Sequence, residues 1–237
     1  MPSKFLTAEW RKLAMANYAV DPEVLKSFIP NRTEIDLWNG TCYVSLVGFM
    51  FLNTKLKGIK VPFHSNFEEV NLRFYVRFKE NNEWKRGVVF VKEIVPKAAL
   101  TFVANNIYGE KYETMPMDHV WETNGTSLKV EYSWERKIRH RLSVTTDSNP
   151  VDMNAGSEEE FITEHFWGYT KIDNQVTSEY GVEHPRWKVY PVQQYNIEVD
   201  FGLVYGNNFV FMNREKPRSV FLAEGSEIIV RSGVRIS

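Results

Sequence analysis

Between Phe67 and Phe78 apolar and polar side chains alternate: Val70, Leu72, Phe74, Val76 and Phe78 share one face, and Glu69, Asn71, Arg73, Tyr75 and Arg77 share the other. A period of two over this length predicts a β-strand with two distinct faces. After a turn at Asn81-Asn82, residues 84–95 are apolar on both faces at their centre, the pattern of a strand buried on both sides. Pro96 ends that ladder, and residues 97–108 read as a helix closed by Gly109. Upstream, residues 13–18 form a strand. Asp21-Pro22-Glu23 then opens a short helix, because Asp21 can cap it and proline suits the first helical position, where no donor is lost. Val24, Leu25, Phe28 and Ile29 fall on one side of that helix, and Pro30 stops it. Asn39-Gly40 tolerates positive φ and predicts a hairpin between strands 33–38 and 41–51. Residues 53–65, with Gly58 and Pro62, read as a loop.

The same patterns continue downstream. Asn124-Gly125 marks a second tight hairpin, and Leu128, Val130, Tyr132, Trp134 and Ile138 give its returning strand, with one break at Arg136. Residues 147–156 are a polar loop. Ser157-Glu-Glu-Glu160 fits a capping box, in which serine and glutamate satisfy each other's exposed donors, so a short helix runs to about Glu164. Residues 165–172 and 176–184 form a hairpin about Asp173-Asn174-Gln175. The last third reads as a helical turn at 200–206 and strands at 208–212, 219–223 and 227–236. With no repeat, low-complexity tract or linker, residues 1–237 read as one mostly β (α+β) domain.

Composition narrows the function. A net charge of −1 over 237 residues lacks the basic face that nucleic acid demands. No polybasic run points to a membrane surface, and the longest apolar run, residues 44–52, is too short to span one. Cys42, the only cysteine, sits in an apolar strand-like run and reads as a buried, inert thiol. The N-terminus lacks the apolar core of a signal peptide, so a soluble, cytoplasmic protein is expected. The Arg136-Lys-Ile-Arg-His-Arg141 cluster reads as a solvated strand edge, with His119 and His140 facing solvent.

The chain resembles the YqjF-like family of unknown function, a branch of the acetoacetate-decarboxylase-like superfamily. The resemblance is carried by Leu6-Thr-Ala-Glu-Trp-Arg11, Tyr43-Val-Ser-Leu-Val-Gly-Phe-Met-Phe-Leu52, Phe67-Glu-Glu-Val-Asn-Leu-Arg73, residues 87–96, Glu164-His-Phe-Trp-Gly-Tyr169 and Glu183-His-Pro-Arg-Trp187. It implies a bent, cone-like antiparallel β-barrel with a few short outer helices and an interior pocket. Within the superfamily, Trp10-Arg11 and Asp21 are similar to the decarboxylases' active-site arginine and Asp-initiated helix. Phe67-Glu68-Glu69-Val70 is similar to their aromatic-x-Glu-Val strand, which places Glu69 on an active-site glutamate. Val95-Pro96-Lys97 resembles the Pro-Lys-Lys segment that carries their Schiff-base lysine, but Ala98 stands here where they have the second lysine. A solvated lysine is almost wholly protonated at neutral pH, and a neighbouring cation or burial is what frees the amine to attack.

Two functional readings follow. In the first, Lys97 attacks a keto acid or related carbonyl compound, Glu69 shuttles protons and Arg11 holds a carboxylate, giving a decarboxylase-like lyase. In the second, the barrel binds a small ligand without chemistry, and Lys97 and the histidines are structural. A further constellation comes from the hairpin at 165–184. A two-residue loop sets His165 opposite His184, whereas a three-residue loop sets Glu164 opposite His184 and His165 opposite Glu183. Trp167, Tyr169 and Trp187 would wall that place in. Arg73, His64, His165, Trp167, Tyr169, Glu183 and His184 are therefore the candidate ligand-binding residues. No ligand spacing calls for a metal, and no motif calls for a cofactor. The expected partner is a small molecule, with a homo-oligomer left open.

Overall fold

The computed structural model describes residues 2–60, 62–98, 101 and 111–237. Among them, the strands in chain order are β1 (Lys4–Ala19), β2 (Thr33–Ile35), β3 (Tyr43–Leu56), β4 (Ile59–Lys60), β5 (Phe67–Glu80), β6 (Glu83–Val95), β7 (Tyr112–Thr114) and β8 (Met117–Asn124). The second half adds β9 (Ser127–Arg136), β10 (Ile138–Asp147), β11 (Val151–Asp152), β12 (Trp167–Lys171), β13 (Thr177–Glu183), β14 (Lys188–Glu198), β15 (Ser219–Arg231) and β16 (Val234–Ile236). The fold is thus mostly strand, as the patterning predicts.

Seven strands close a ring in the order β1, β3, β5, β6, β12, β13, β15 and back to β1. Every pairing in it is antiparallel except β6 with β12. That exception is forced, because strand direction cannot alternate all the way round an odd number of strands. From β15 the sheet continues through β14, β10 and β9 to β8, and this extension covers the outside of the ring. The layers meet closely where Gly48 of β3 faces Tyr132 of β9: a Cβ at Gly48 would lie 2.8 Å from the tyrosine ring. The Tyr132 hydroxyl donates to the Lys12 carbonyl at 2.8 Å and ties the two layers together.

The two faces of β5 therefore meet different surroundings. Val70, Leu72, Phe74, Val76 and Phe78 share an outer core with Leu128, Val130, Tyr132 and Trp134 of β9. Tyr75 packs inward with Leu13, Tyr43, Val47 and Phe161, and Glu69, Asn71 and Arg73 line a cavity within the ring.

Several local expectations change. The Asn39-Gly40 turn forms with positive φ at both residues, but only the single bridge Trp38–Thr41 joins its arms. β2 pairs with β5 instead, along Val76–Phe78 beyond the end of β3's pairing, where the edge would otherwise be open. β3 runs on to Leu56 and turns at Lys57-Gly58 into β4, so residues 53–65 are only partly loop. The break at Arg136 is a hairpin, with Lys137 at φ 59° between β9 and β10. Residues 208–212 belong to a 3₁₀ helix, Asn207–Asn213, whose buried Phe209 and Met212 stand three apart rather than two. The strands expected at 219–223 and 227–236 are one long strand, β15, bent at Gly225, followed by β16. β14 has no counterpart in the pattern reading. His140 is fully buried rather than solvent-facing; it stacks on Trp134, and its Nδ1 accepts from the Asp200 backbone at 3.3 Å. The helix expected at 97–108 lies mostly outside the described residues.

The helix caps follow the sequence closely. Asp21 accepts from Glu23 N at 3.0 Å ahead of the 3₁₀ turn Pro22–Leu25, and Ser157 Oγ accepts from Glu160 N at 3.2 Å ahead of helix Glu158–Thr163. Among the described residues no helix is long and apolar enough to cross a membrane.

Candidate functional site

The ring encloses a cavity of about 150 Å³ to which all seven of its strands contribute. Leu13, Phe49, Phe51, Val88, Phe90 and Val182 supply apolar walls, and Glu69, Asn71, Arg73, Glu93 and His165 supply polar groups. The inner row of β5 organises them. Asn71 Nδ2 donates to Glu69 Oε1 at 2.9 Å, and the Tyr112 hydroxyl donates to Glu69 Oε2 at 3.1 Å. Glu93 stands directly across from Asn71 on β6.

Arg73 is 8% exposed. Nη2 donates to the Ile162 carbonyl at 3.3 Å and to Met15 Sδ at 4.0 Å, while Nε has no hydrogen-bond partner among the described residues. Nor does Arg73 form an ion pair among them. A buried guanidinium without a carboxylate beside it is expensive, by several kcal/mol of lost hydration for an ion of this kind.

His165 lies in the same wall, held between Tyr75 and Phe161 with ring centroids 4.8 and 5.0 Å away. Its Nε2 lies 3.1 Å from Asp36 Oδ2, and the same oxygen accepts from Arg86 Nε at 2.6 Å. A carboxylate can only accept, so Nε2 carries the proton and Nδ1 a lone pair. Burial pushes the imidazole down to about 4, against the opposing pull of the Asp36 hydrogen bond. Burial also works to raise the Asp36 carboxyl, but the hydrogen bonds from His165 and Arg86 outweigh it and hold it below the usual range. Near neutral pH the pair is a neutral histidine on an ionised aspartate.

Beside this site runs a fully satisfied polar chain. Ser45 Oγ bonds to Asn17 Oδ1 at 2.6 Å and to the Tyr75 hydroxyl at 2.7 Å, and Asn17 Nδ2 donates to Ser219 Oγ at 3.0 Å. With its members paired, that chain braces β1, β3, β5 and β15. The cavity differs in keeping unspent groups: Arg73 Nε, Asn71 Oδ1, His165 Nδ1 and Trp10 Nε1 are buried with no partner among the described residues.

The candidates from sequence do not all come together. Glu69, Arg73, His165 and Trp167 line the cavity. Arg11, Glu183 and His184 line a second, open groove. There Arg11 grips Glu9 at 2.7 Å, Glu183 pairs with Arg231 at 2.6 Å, and His184 stacks on Trp187 at 4.2 Å. Of the Trp10-Arg11 pair it is the tryptophan that faces the cavity. Tyr169 is buried against Phe78, and His64 is in the loop before β5, its Nδ1 2.8 Å from the Pro62 carbonyl. Lys97 follows the end of β6, half-buried, and is not among the residues lining the cavity. The hairpin takes the three-residue register, Trp167 opposite Gly181 and Lys171 opposite Thr177, which carries His165 to the level of Glu183. His165 and His184 consequently fall on opposite faces.

Asp36, Asn71, Glu93, Tyr112 and Trp10 escaped the sequence reading as site residues. Glu93 left a signal, a lone carboxylate inside a strand apolar on both faces. Asp36 left none, since it meets His165 across 129 residues of chain. Among the described residues no three His, Cys, Asp or Glu side chains gather as a metal ion would require.

Solved structures share this fold. The acetoacetate decarboxylase of Legionella pneumophila aligns over 100% of this chain and 88% of its own, with a TM-score of 0.64 at 13% identity. The enduracididine biosynthesis enzyme MppR, in its complex with pyruvate, aligns over 100% of this chain and 91% of its own, with a TM-score of 0.65 at 14% identity. At these identities the likeness shows the acetoacetate-decarboxylase-like fold. In sequence, the uncharacterized protein YqjF of Bacillus subtilis is 25% identical over 183 residues, 75% of this chain and 72% of that one. The profile of the DUF2071 family, described as an uncharacterized conserved protein, matches residues 7–227, and the chain belongs to that family.

Proposed function

We propose that the protein binds a small organic acid inside the ring, with the ligand's carboxylate on Arg73. The observation that carries this reading is the buried guanidinium with an unpartnered Nε and no ion pair among the described residues. Guanidinium and carboxylate match as paired donors and acceptors, and burial strengthens their attraction. The apolar walls suit a short carbon skeleton, and a cavity of about 150 Å³ suits a molecule of about six non-hydrogen atoms. Relatives in fold agree in kind, one being named for acetoacetate and another complexed with pyruvate.

A covalent version of the same reading has Lys97 turn in from the end of β6, where it stands outside the cavity wall, as nucleophile toward a keto acid, with Glu69 as the proton carrier inside the cavity. In it Arg73 takes the carboxylate, since Arg11 is engaged with Glu9 in the second groove. Ala98 leaves activation of Lys97 to burial and to more distant cations.

Titration calorimetry with pyruvate tests the binding reading. Arg73→Met should weaken binding by at least about tenfold, the effect of losing a charge-assisted hydrogen bond. Equal affinity in wild type and variant would overturn it. Borohydride added to the pyruvate complex tests the covalent version separately: a reduced adduct on Lys97 supports it, and its absence leaves binding alone.

A further inference from the structure

The unspent polar atoms of the cavity specify more than an anion. Arg73 Nε and Trp10 Nε1 are donors, whereas Asn71 Oδ1 and His165 Nδ1 are acceptors. The histidine assignment is fixed by a carboxylate: His165 must turn its N–H to Asp36, which its hydrogen bonds hold ionised and which cannot donate in return, while Asn71 turns its amide nitrogen to Glu69. Asn71 Oδ1 and His165 Nδ1 are therefore left as lone pairs on residues of the cavity wall, together with Arg73. These lone pairs are already buried and unpaired, so a ligand hydroxyl that reaches one gains a hydrogen bond, whereas a ligand that offers only acceptors, such as a simple keto acid, satisfies Arg73 alone.

We infer that the cavity is built for a small hydroxy acid, whose carboxylate sits on Arg73 and whose hydroxyl donates to His165 Nδ1. This rests on the organic-acid reading above and names its ligand class. Asp36 is then a positioning residue. It does not touch the ligand; it holds the imidazole in the tautomer that presents a lone pair, and Arg86 anchors Asp36 in turn. Sites made to hydrogen-bond a substrate hydroxyl discriminate strongly against the analogue without it, because their own polar groups go unpaired.

Lactate, pyruvate and propionate share a three-carbon acid skeleton and differ at one substituent: a hydroxyl, a carbonyl oxygen or hydrogens. Calorimetric titration of the wild-type protein should rank lactate about 10- to 100-fold tighter than both others. In His165→Met, checked for native circular dichroism, lactate should fall to within about threefold of pyruvate and propionate measured on the same variant. If pyruvate or propionate binds wild type as tightly as lactate, the hydroxy-acid inference is wrong and the organic-acid reading stands. If none of the three binds, both fail. Should the histidine variant not fold, the wild-type ranking still decides.

Discussion

Acidification should cost this protein stability through one identified histidine. The His165 imidazole titrates near 4 in the folded chain, against an ordinary value of 6.5. Between these values the unfolded chain binds a proton that the folded chain refuses, so stability falls as the pH falls. The contribution is complete above about pH 6.5 and is lost progressively down to about pH 4. At about 1.4 kcal/mol per pH unit, the full window is worth about 3 kcal/mol, and about 2 kcal/mol of it is gone by about pH 4.5. The group is almost wholly enclosed, so little discount for solvent screening applies. Asp36 contributes in the same direction, because its lowered carboxyl also loses stability on protonation. The His165→Gln variant separates the two: it keeps a donor for Asp36 and removes the titrating ring. Urea unfolding of both proteins at about pH 7 and about pH 4.5 should show wild type losing about 2 kcal/mol more than the variant. Equal losses would refute the argument, since the ring would then not be buried neutral against Asp36.

Two further expectations test the frame around the site. Gly225 holds φ at +79°, and a Cβ there would lie 1.9 Å from the Trp10 carbonyl oxygen, so Gly225→Ala should cost about 2–5 kcal/mol of strain and displaced backbone. Gly58→Ala, also at positive φ but with no atom within 4 Å of the new Cβ, is the matched control; thermal melting midpoints of the two that fall equally would show that the close approach at β1 is not what matters. Cys42 is 4% exposed, and burial, with Asp21 nearby, pushes its thiol up to about 11. An aromatic disulfide reagent should therefore leave it unmodified in the native protein and titrate one thiol per chain in denaturant; fast reaction in the native state would contradict the packing described.

Much of the secondary structure was legible because it depends on near neighbours. Asp21 and Ser157 cap where they should, as side-chain oxygens two or three residues from the donors they satisfy. The turns at Asn81-Asn82 and Asn124-Gly125 form because those residues accept or favour positive φ. Errors arose where a local signal was ambiguous. Glu224-Gly225-Ser226 looks like a strand boundary, but Gly225 serves close approach to Trp10 within one continuous strand. The run around Phe209 was too short for its period to separate a strand from a helical turn. In the hairpin at 165–184 the sequence allowed two registers, and the three-residue one forms with Asp173 Oδ1 accepting from Gln175 N and Val176 N across the turn.

The site shows the same division. The alternation from Phe67 to Phe78 determined, from sequence alone, that Glu69, Asn71 and Arg73 share a face and that five large apolar side chains share the other. It did not determine which face is inside. A polar row would ordinarily face water, yet here it faces the ring's cavity, because β8, β9, β10 and β14 fold over the apolar row. Burying that row is worth about 10 kcal/mol, enough to fix the strand's orientation. Once the ring closes through β13 and β15, the inward polar groups must find partners within it. Glu69 finds Asn71 and Tyr112, and His165 finds Asp36 from far along the chain. Period-two patterning determines which residues stand together; the odd-stranded ring and its covering sheet decide that they stand around a cavity.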